Sequence, residues 1–276
     1  HLTDYLGGIN APAAWDISTG SAATVVAVLD TGWTVHPDLD ARLLPGYDFI
    51  GDAERANDGD GRDADASDAG DWLTAADKAT EKYTNCDVRN STWHGTEVAA
   101  VIGAATQNGA GTAGIDWAAR ILPVRVLGKC GGLSSDIADG MMWAAGNPVV
   151  GIPDNPTPAK ILNLSLGSES TCSNTYRNVI NQLVAAGKIV IVAAGNENNG
   201  NDHSPASCPG AGSGAGRGFG AFSSAARRAS RAATSGRAAC SAVAAGVGAG
   251  VRPNAAHPAS ATAASDRARE TFEAID

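Results

Sequence analysis

Four short apolar runs punctuate the first two thirds of the chain, at residues 24–29, 121–127, 161–164 and 188–193, each rich in Val, Ile or Leu. Continuous apolar runs of this length, without strict apolar/polar alternation, are the pattern of strands buried on both faces of a parallel sheet. Between them, apolar positions recur at helical spacing. Residues 94–104 carry Val98, Val101 and Ile102, residues 135–145 repeat the pattern, and residues 174–186 run from a polar cap to Gly187 as a stop. Strands alternating with helices predict a three-layer α/β domain, a mostly parallel central sheet with helices on both faces.

That pattern ends near residue 210. From Ala211 onward Ala, Gly and Arg are frequent, whereas Leu, Lys, Trp and Tyr are absent. The expected organisation is therefore a domain over 1–210 and a compositionally distinct region over 211–276. Eight arginines and four acidic residues give this region +4, which leaves −13 on the first 210 residues of a chain whose total is −9. A disordered extension and an anion-binding tail are two readings of it. The favoured third reading is a GC-rich gene translated in a shifted frame, because the switch falls abruptly after Ser-Pro-Ala-Ser-Cys-Pro-Gly, inside a segment that reads as core.

The 276 residues suffice for one sizeable buried core. The acidic balance argues against affinity for nucleic acid or an anionic membrane surface, and no apolar stretch is long enough to span a bilayer. Starting at His1 without a charged-then-apolar leader, the chain is expected to be already processed. Cys86, Cys130, Cys172, Cys208 and Cys240 form no C-x-x-C pair, so disulfides in an oxidising compartment fit better than zinc or thiol redox chemistry. The odd count leaves one thiol over, and Cys240 is its natural holder.

Three strand or helix ends carry candidate chemistry. Val25-Val26-Ala27-Val28-Leu29-Asp30-Thr31-Gly32 sets a carboxylate at the end of a buried strand, the edge where α/β proteins place ligands. Alone, Asp30 is as readily a turn cap. Aspartic proteases share Asp-Thr-Gly but need two copies, and only one is here. Trp93-His94-Gly95-Thr96 puts His94 at a helix start. Val190-Ile191-Val192-Ala193-Ala194-Gly195-Asn196 delivers an amide suited to hydrogen-bonding a developing oxyanion, although Asn196 also begins a turn-rich run.

Together, Asp30-Thr31-Gly32, His94-Gly95-Thr96, Asn163-Leu164-Ser165-Leu166-Gly167 and Ala193-Ala194-Gly195-Asn196 resemble the subtilisin-like serine peptidases, in particular a secreted bacterial branch with disulfides. The resemblance runs from about Tyr5 to Gly210. It implies a secreted, extracellular, monomeric endopeptidase acting on polypeptides, with a pro-peptide or protein inhibitor as a further partner. It also implies roles. Asp30 orients His94, His94 moves a proton from and to a nucleophilic serine, and Asn196 holds the oxyanion. Gly132 and Leu133, with Ser165, Leu166 and Gly167, resemble two edges that sandwich a peptide as an added strand, beside a pocket lined by Ala194 and Gly195. Their small, uncharged residues favour apolar or unbranched side chains over acidic ones. The same branch implies disulfides Cys86–Cys130 and Cys172–Cys208.

The chain departs from the family pattern in three places. No Gly-Thr-Ser-Met-Ala-like segment opens a long apolar helix downstream of Asn196. Ser235 in Ala233-Thr234-Ser235-Gly236 is a weak imitation, and Ser260 and Ser265 have no motif around them. A catalytically inactive peptide-binding relative is accordingly the competing expectation. Glu97 stands where the family commonly has a second histidine, either raising the imidazole pKa or facing solvent, and Trp33 replaces a small aliphatic residue beside the expected cleft. Finally, residues 57–71 concentrate Asp58, Asp60, Asp63, Asp65 and Asp68 among turn-forming glycines. Hard oxygen donors in a flexible loop suit structural calcium, the alternative being a solvated acidic loop.

Overall fold

The computed structural model describes residues 9–197, 202–213 and 271–274. In chain order its elements are α1 (Ala11–Trp15), β1 (Val25–Asp30), β2 (Tyr47–Asp48), α2 (Ala53–Ala56), α3 (Ala75–Lys78), α4 (His94–Gly103), β3 (Arg120–Arg125) and β4 (Gly132–Leu133). There follow α5 (Ser134–Ala144), β5 (Ile161–Leu164), β6 (Leu166–Glu169), α6 (Asn174–Ala185), β7 (Ile189–Val192), β8 (His203–Ser204), β9 (Gly212–Ser213) and β10 (Thr271–Ala274).

The four apolar runs become β1, β3, β5 and β7. They lie in a six-stranded sheet of order β2-β3-β1-β5-β7-β9 whose pairings are all parallel. Side chains of a strand alternate between faces, and β1 shows the consequence. Val26 and Val28 pack with Ala99 and Ile102 of α4, while Ala27 and Leu29 join the larger cluster containing Ile137 and Met141 of α5 and Ile180 and Leu183 of α6. Both faces of β1 are thus covered, which is why its sequence is apolar throughout and why the domain has three layers.

Helix boundaries match the expected ones to within a residue or two, with one shift of role. Ser173, not Asn174, caps α6: its hydroxyl accepts the Tyr176 N–H at 3.3 Å. Gly187, at φ 75°, ends the helix, and the Gly187 and Lys188 amides close onto Val184 and Leu183.

A second, antiparallel sheet of order β4-β10-β6-β8 adjoins the first, because β6 continues the chain one residue beyond β5. Disulfides join Cys86 to Cys130 and Cys172 to Cys208, with Cα separations of 5.8 and 4.9 Å. The second anchors the start of α6 to the segment after β8. Cys240 lies outside the described residues.

Replacing Cys172 and Cys208 together by Ala frees a loop whose ends are 36 residues apart, and lowers unfolding free energy by about 3–4 kcal/mol in a urea titration.

Candidate active site

Asp30 is the last residue of β1 and is fully buried. A carboxylate there requires donors, and two are in place: His94 Nδ1 lies 2.8 Å from Oδ1, and the Thr31 amide donates to the same oxygen at 2.8 Å. Burial pushes the Asp30 carboxyl above its ordinary value, while the His94 and Thr31 bonds pull it back toward the ionised form.

His94 is 4 % exposed and opens α4, after Trp93 has turned the chain through the left-handed region at φ 55°. The approach of α4 to the end of β1 depends on a glycine. A Cβ on Gly95 would sit 2.2 Å from the Gly32 carbonyl oxygen, so only glycine lets the helix come near enough for the imidazole to reach Asp30.

Thr31 fastens this junction. Its hydroxyl accepts the Gly95 amide at 3.0 Å and donates to Asp68 Oδ2 at 2.6 Å. Asp71, 1 % exposed, holds the entry to α4 by accepting the Thr92 amide at 2.6 Å and hydroxyl at 3.1 Å, and it pairs with Arg89 at 3.0 Å. Neither support was marked in the sequence, because Asp68 and Asp71 sit in a run of aspartates that reads as one solvated or metal-binding loop.

Asn196 is exposed just past β7. Parallel strands end on the same edge, and the register aligns Ala27, Leu162 and Val190 in one row across β1, β5 and β7. β1 and β7 therefore leave the sheet at the same edge, two strand spacings apart, on the order of 10 Å, with Asp30 ending the first and Asn196 following the second. The Asn196 amide N–H donates to Glu197 Oε2 at 2.8 Å.

Behind Asn196 lies a group that no spacing in the sequence announced. Glu169 on β6, Glu197 and His203 on β8 bring one ligand-capable atom each within 4.8 Å of the others. The His203 Nε2 is 2.6 Å from Glu197 Oε2. Burial acts to raise Glu197, but hydrogen bonds from the backbone and the nearby imidazole outweigh it and hold the carboxyl below its usual range. The ring also lies against Gly195, where a Cβ would meet it at 2.4 Å.

Gly132 and Leu133 form β4, Leu166 and Gly167 open β6, and Ser165 precedes them, its Oγ accepting from Asn163 Nδ2 at 3.1 Å. Ala194 and Gly195 follow β7, both half-buried. Glu97 is exposed on α4, as the solvent-facing expectation had it. Trp33 is half-buried, and its backbone is bridged to Ser67 of the aspartate-rich loop. Ser235, Ser260 and Ser265 lie outside the described residues.

The aspartate-rich loop divides. Asp58, Asp60, Asp63 and Asp65 line one cavity of about 220 Å³ with Ser67 and Ala69. Asp68, the fifth residue of the expected ligand set, lies outside the lining of that cavity. It is 8 % exposed and turned inward, its oxygens taken by Thr31 and by the Gly70 amide at 2.8 Å, and burial raises its carboxyl. Asp58 is tied in another way: Arg125, at the end of β3, ion-pairs with both Asp48 and Asp58. A buried guanidinium thus already supplies part of the countercharge the loop requires.

The family model for the subtilase family matches residues 21–263. An extracellular protease of Xanthomonas campestris pv. campestris is 51% identical over 202 residues, 73% of this chain and 34% of that protein. An extracellular basic protease of Dichelobacter nodosus is 44% identical over 207 residues, 74% of this chain and 34% of its own. The chain thus spans about a third of the length of these curated relatives. A solved structure described as proteases from Pseudoalteromonas arctica PAMC 21717 superposes with a TM-score of 0.72 at 50% identity, covering 77% of this chain and 61% of that one.

Replacing Thr31 by Val removes the hydroxyl between Gly95 and Asp68. The expected loss is about 1–3 kcal/mol of stability by chemical denaturation, together with shifted His94 ring resonances in NMR spectra. Thr31→Ser restores most of both.

Proposed function

Because the chain belongs to the subtilase family, we propose that it forms the catalytic domain of a secreted serine endopeptidase that cleaves polypeptides. The observation that carries this reading is the buried 2.8 Å contact between Asp30 and His94, on the sheet edge where Asn196 emerges. Asp30 fixes the imidazole by its Nδ1 and stabilises the imidazolium. Through Nε2, His94 takes the proton of a serine hydroxyl as its oxygen attacks the peptide carbonyl, then passes it to the leaving amine. The Asn196 side chain donates to the tetrahedral oxyanion.

Gly132 and Leu133 on one side and Ser165, Leu166 and Gly167 on the other hold the substrate backbone, and Ala194 and Gly195 border the side chain before the cut. Antiparallel pairing of β10 with β4 and with β6 supports this, since it sets an extended strand between those two edges. A domain division at residue 210 remains part of the proposal on the change of composition there, and the family model's match runs past it to residue 263. The relatives' names as extracellular proteases support secretion. A monomer, with a pro-peptide or protein inhibitor as the other occupant of the cleft, completes the proposal.

Calcium fits the cavity of Asp60, Asp63 and Asp65, whose donors are all hard oxygens, with Asp58 contributing what its pairing with Arg125 leaves. Its chemistry there is structural, drawing together carboxylates that otherwise repel. Burial and the neighbouring Asp63 and Asp58 charges raise the Asp60 carboxyl, the direction expected of a site wanting a cation.

One observation favours the second reading, a peptide-binding relative without activity: no Gly-Thr-Ser-Met-Ala-like segment follows Asn196. Labelling with an active-site fluorophosphonate, followed by peptide mapping, separates the two. A peptidase gives one labelled serine, lost in His94→Ala, and hydrolyses casein. No label and no hydrolysis overturn the endopeptidase reading and leave the binding one.

In an active enzyme Asn196→Ala lowers kcat by about 100- to 1,000-fold, KM changing little. Saturating calcium at roughly 100 times its dissociation constant stabilises the domain by about 2.7 kcal/mol. Chelation with EGTA removes that increment in thermal unfolding, and Asp63→Asn abolishes the response.

A further inference from the structure

We propose that the segment Thr271–Ala274 is a tethered occupant of the cleft, which holds the chain in a self-blocked state; this rests on reading β4 and β6 as the substrate edges. The pairing is specific on both sides. Thr271 lies opposite Leu133 and Phe272 opposite Gly132, antiparallel to β4, while Glu273 lies opposite Gly167 and Ala274 opposite Leu166, antiparallel to β6. The strand therefore leans first on one edge and then on the other. It is the only element that joins them, since the order is β4-β10-β6-β8 among the described residues.

Three features make this an obstruction and not a surface contact. First, β6 is already paired on its far side, Ser168 with Ser204 and Glu169 with His203. The edge that β10 takes is the one left to an extended peptide, and two strands cannot use the same backbone donors and acceptors. Second, the strand has a direction. Ala274 sits opposite the first residue of β6, two positions after the end of β5, so β10 runs toward the edge that carries Asp30 and Asn196. Third, the segment belongs to the same chain, so docking is intramolecular. At an effective concentration of roughly 1 mM, even a four-residue strand with a dissociation constant of about 0.1 mM occupies its site about nine-tenths of the time. A competing peptide must then bind about tenfold more weakly than to the open cleft.

The test measures binding alone, so it does not depend on the nucleophile. A fluorescein-labelled peptide of sequence Thr-Phe-Glu-Ala-Ile-Asp, that of residues 271–276, is titrated with three proteins, and anisotropy is read. These are the full chain, the chain ending at residue 270, and full-length Glu273→Pro, in which proline removes a backbone donor and disfavours the strand without shortening the tether. Circular dichroism checks folding of each. The expected result is binding about tenfold tighter to both altered proteins than to the full chain. Equal binding by all three overturns self-blocking while leaving β4 and β6 as peptide edges. No binding by any folded protein overturns self-blocking together with the edge assignment. If the truncated chain does not fold, Glu273→Pro alone decides the outcome by the same comparison.

Discussion

A carboxylate removed wholly from water is tolerated only where fixed donors replace its hydration, and Asp30 imposes that requirement on the whole sheet edge. Its hydrogen-bond partners come from the turn that ends β1 and from the first residue of α4. The helix must consequently press against the strand end, which Gly95 permits and which Thr31 locks. Asp68 and Asp71 then hold Thr31 and Thr92 in turn. A chain of short bonds thus runs from the aspartate-rich loop, through the Asp-Thr-Gly turn, to the imidazole, and each link answers a polar group that burial would otherwise leave unpaired.

The same dependence explains which parts of the molecule were legible in sequence. Residues 25–29 are apolar because helices cover both faces of β1, and residues 189–192 are apolar with Val190 and Val192 in the core, so each run marks a strand without any knowledge of its partners. Asp30, His94 and Asn196 were legible because Asp30 closes β1, His94 opens α4 and Asn196 soon follows β7, and a polar residue near such a boundary stands out. The two-residue strands β2, β8 and β9 were not, since a pairing that short has no periodicity and is created by its distant partner, and β4 was marked only through family likeness at Gly132 and Leu133. Glu169 and His203 belong together only because β6 and β8 pair. The disulfide pairs came from family likeness, as five separated cysteines do not select a connectivity by spacing.

Charge was the most misleading signal. An excess of aspartates between residues 57 and 71 suggests one cation site, but the fold divides the work. Arg125 reaches Asp48 and Asp58 from inside, and Arg62 turns away to Asp136 and Asp139 at 2.6 and 2.7 Å. Asp48, fully enclosed, is pushed up to about 7 by burial, with the Arg125 charge working in the opposite direction. Arg125 itself interrupts the apolar run at 121–127 and closes β3. Its guanidinium is the price of enclosing carboxylates at a sheet edge, and the sequence shows the charge but not its partners, which lie far away along the chain.

In the proposed reading, binding and chemistry occupy separable parts of this architecture. The dyad depends on the junction between β1 and α4, whereas the two edges depend on β4 leading into α5 and on β6 being held by β8 and by the disulfide at Cys172. Unpaired backbone groups along such edges attract any extended segment of suitable direction, whatever its origin, because most of the affinity comes from main-chain hydrogen bonds. On the proposed assignment, intact edges suffice for peptide recognition whether or not a nucleophile is present. A segment of the same chain that reaches such edges, as proposed for residues 271–274, competes on better terms than a free peptide, since covalent connection replaces the entropic cost of association.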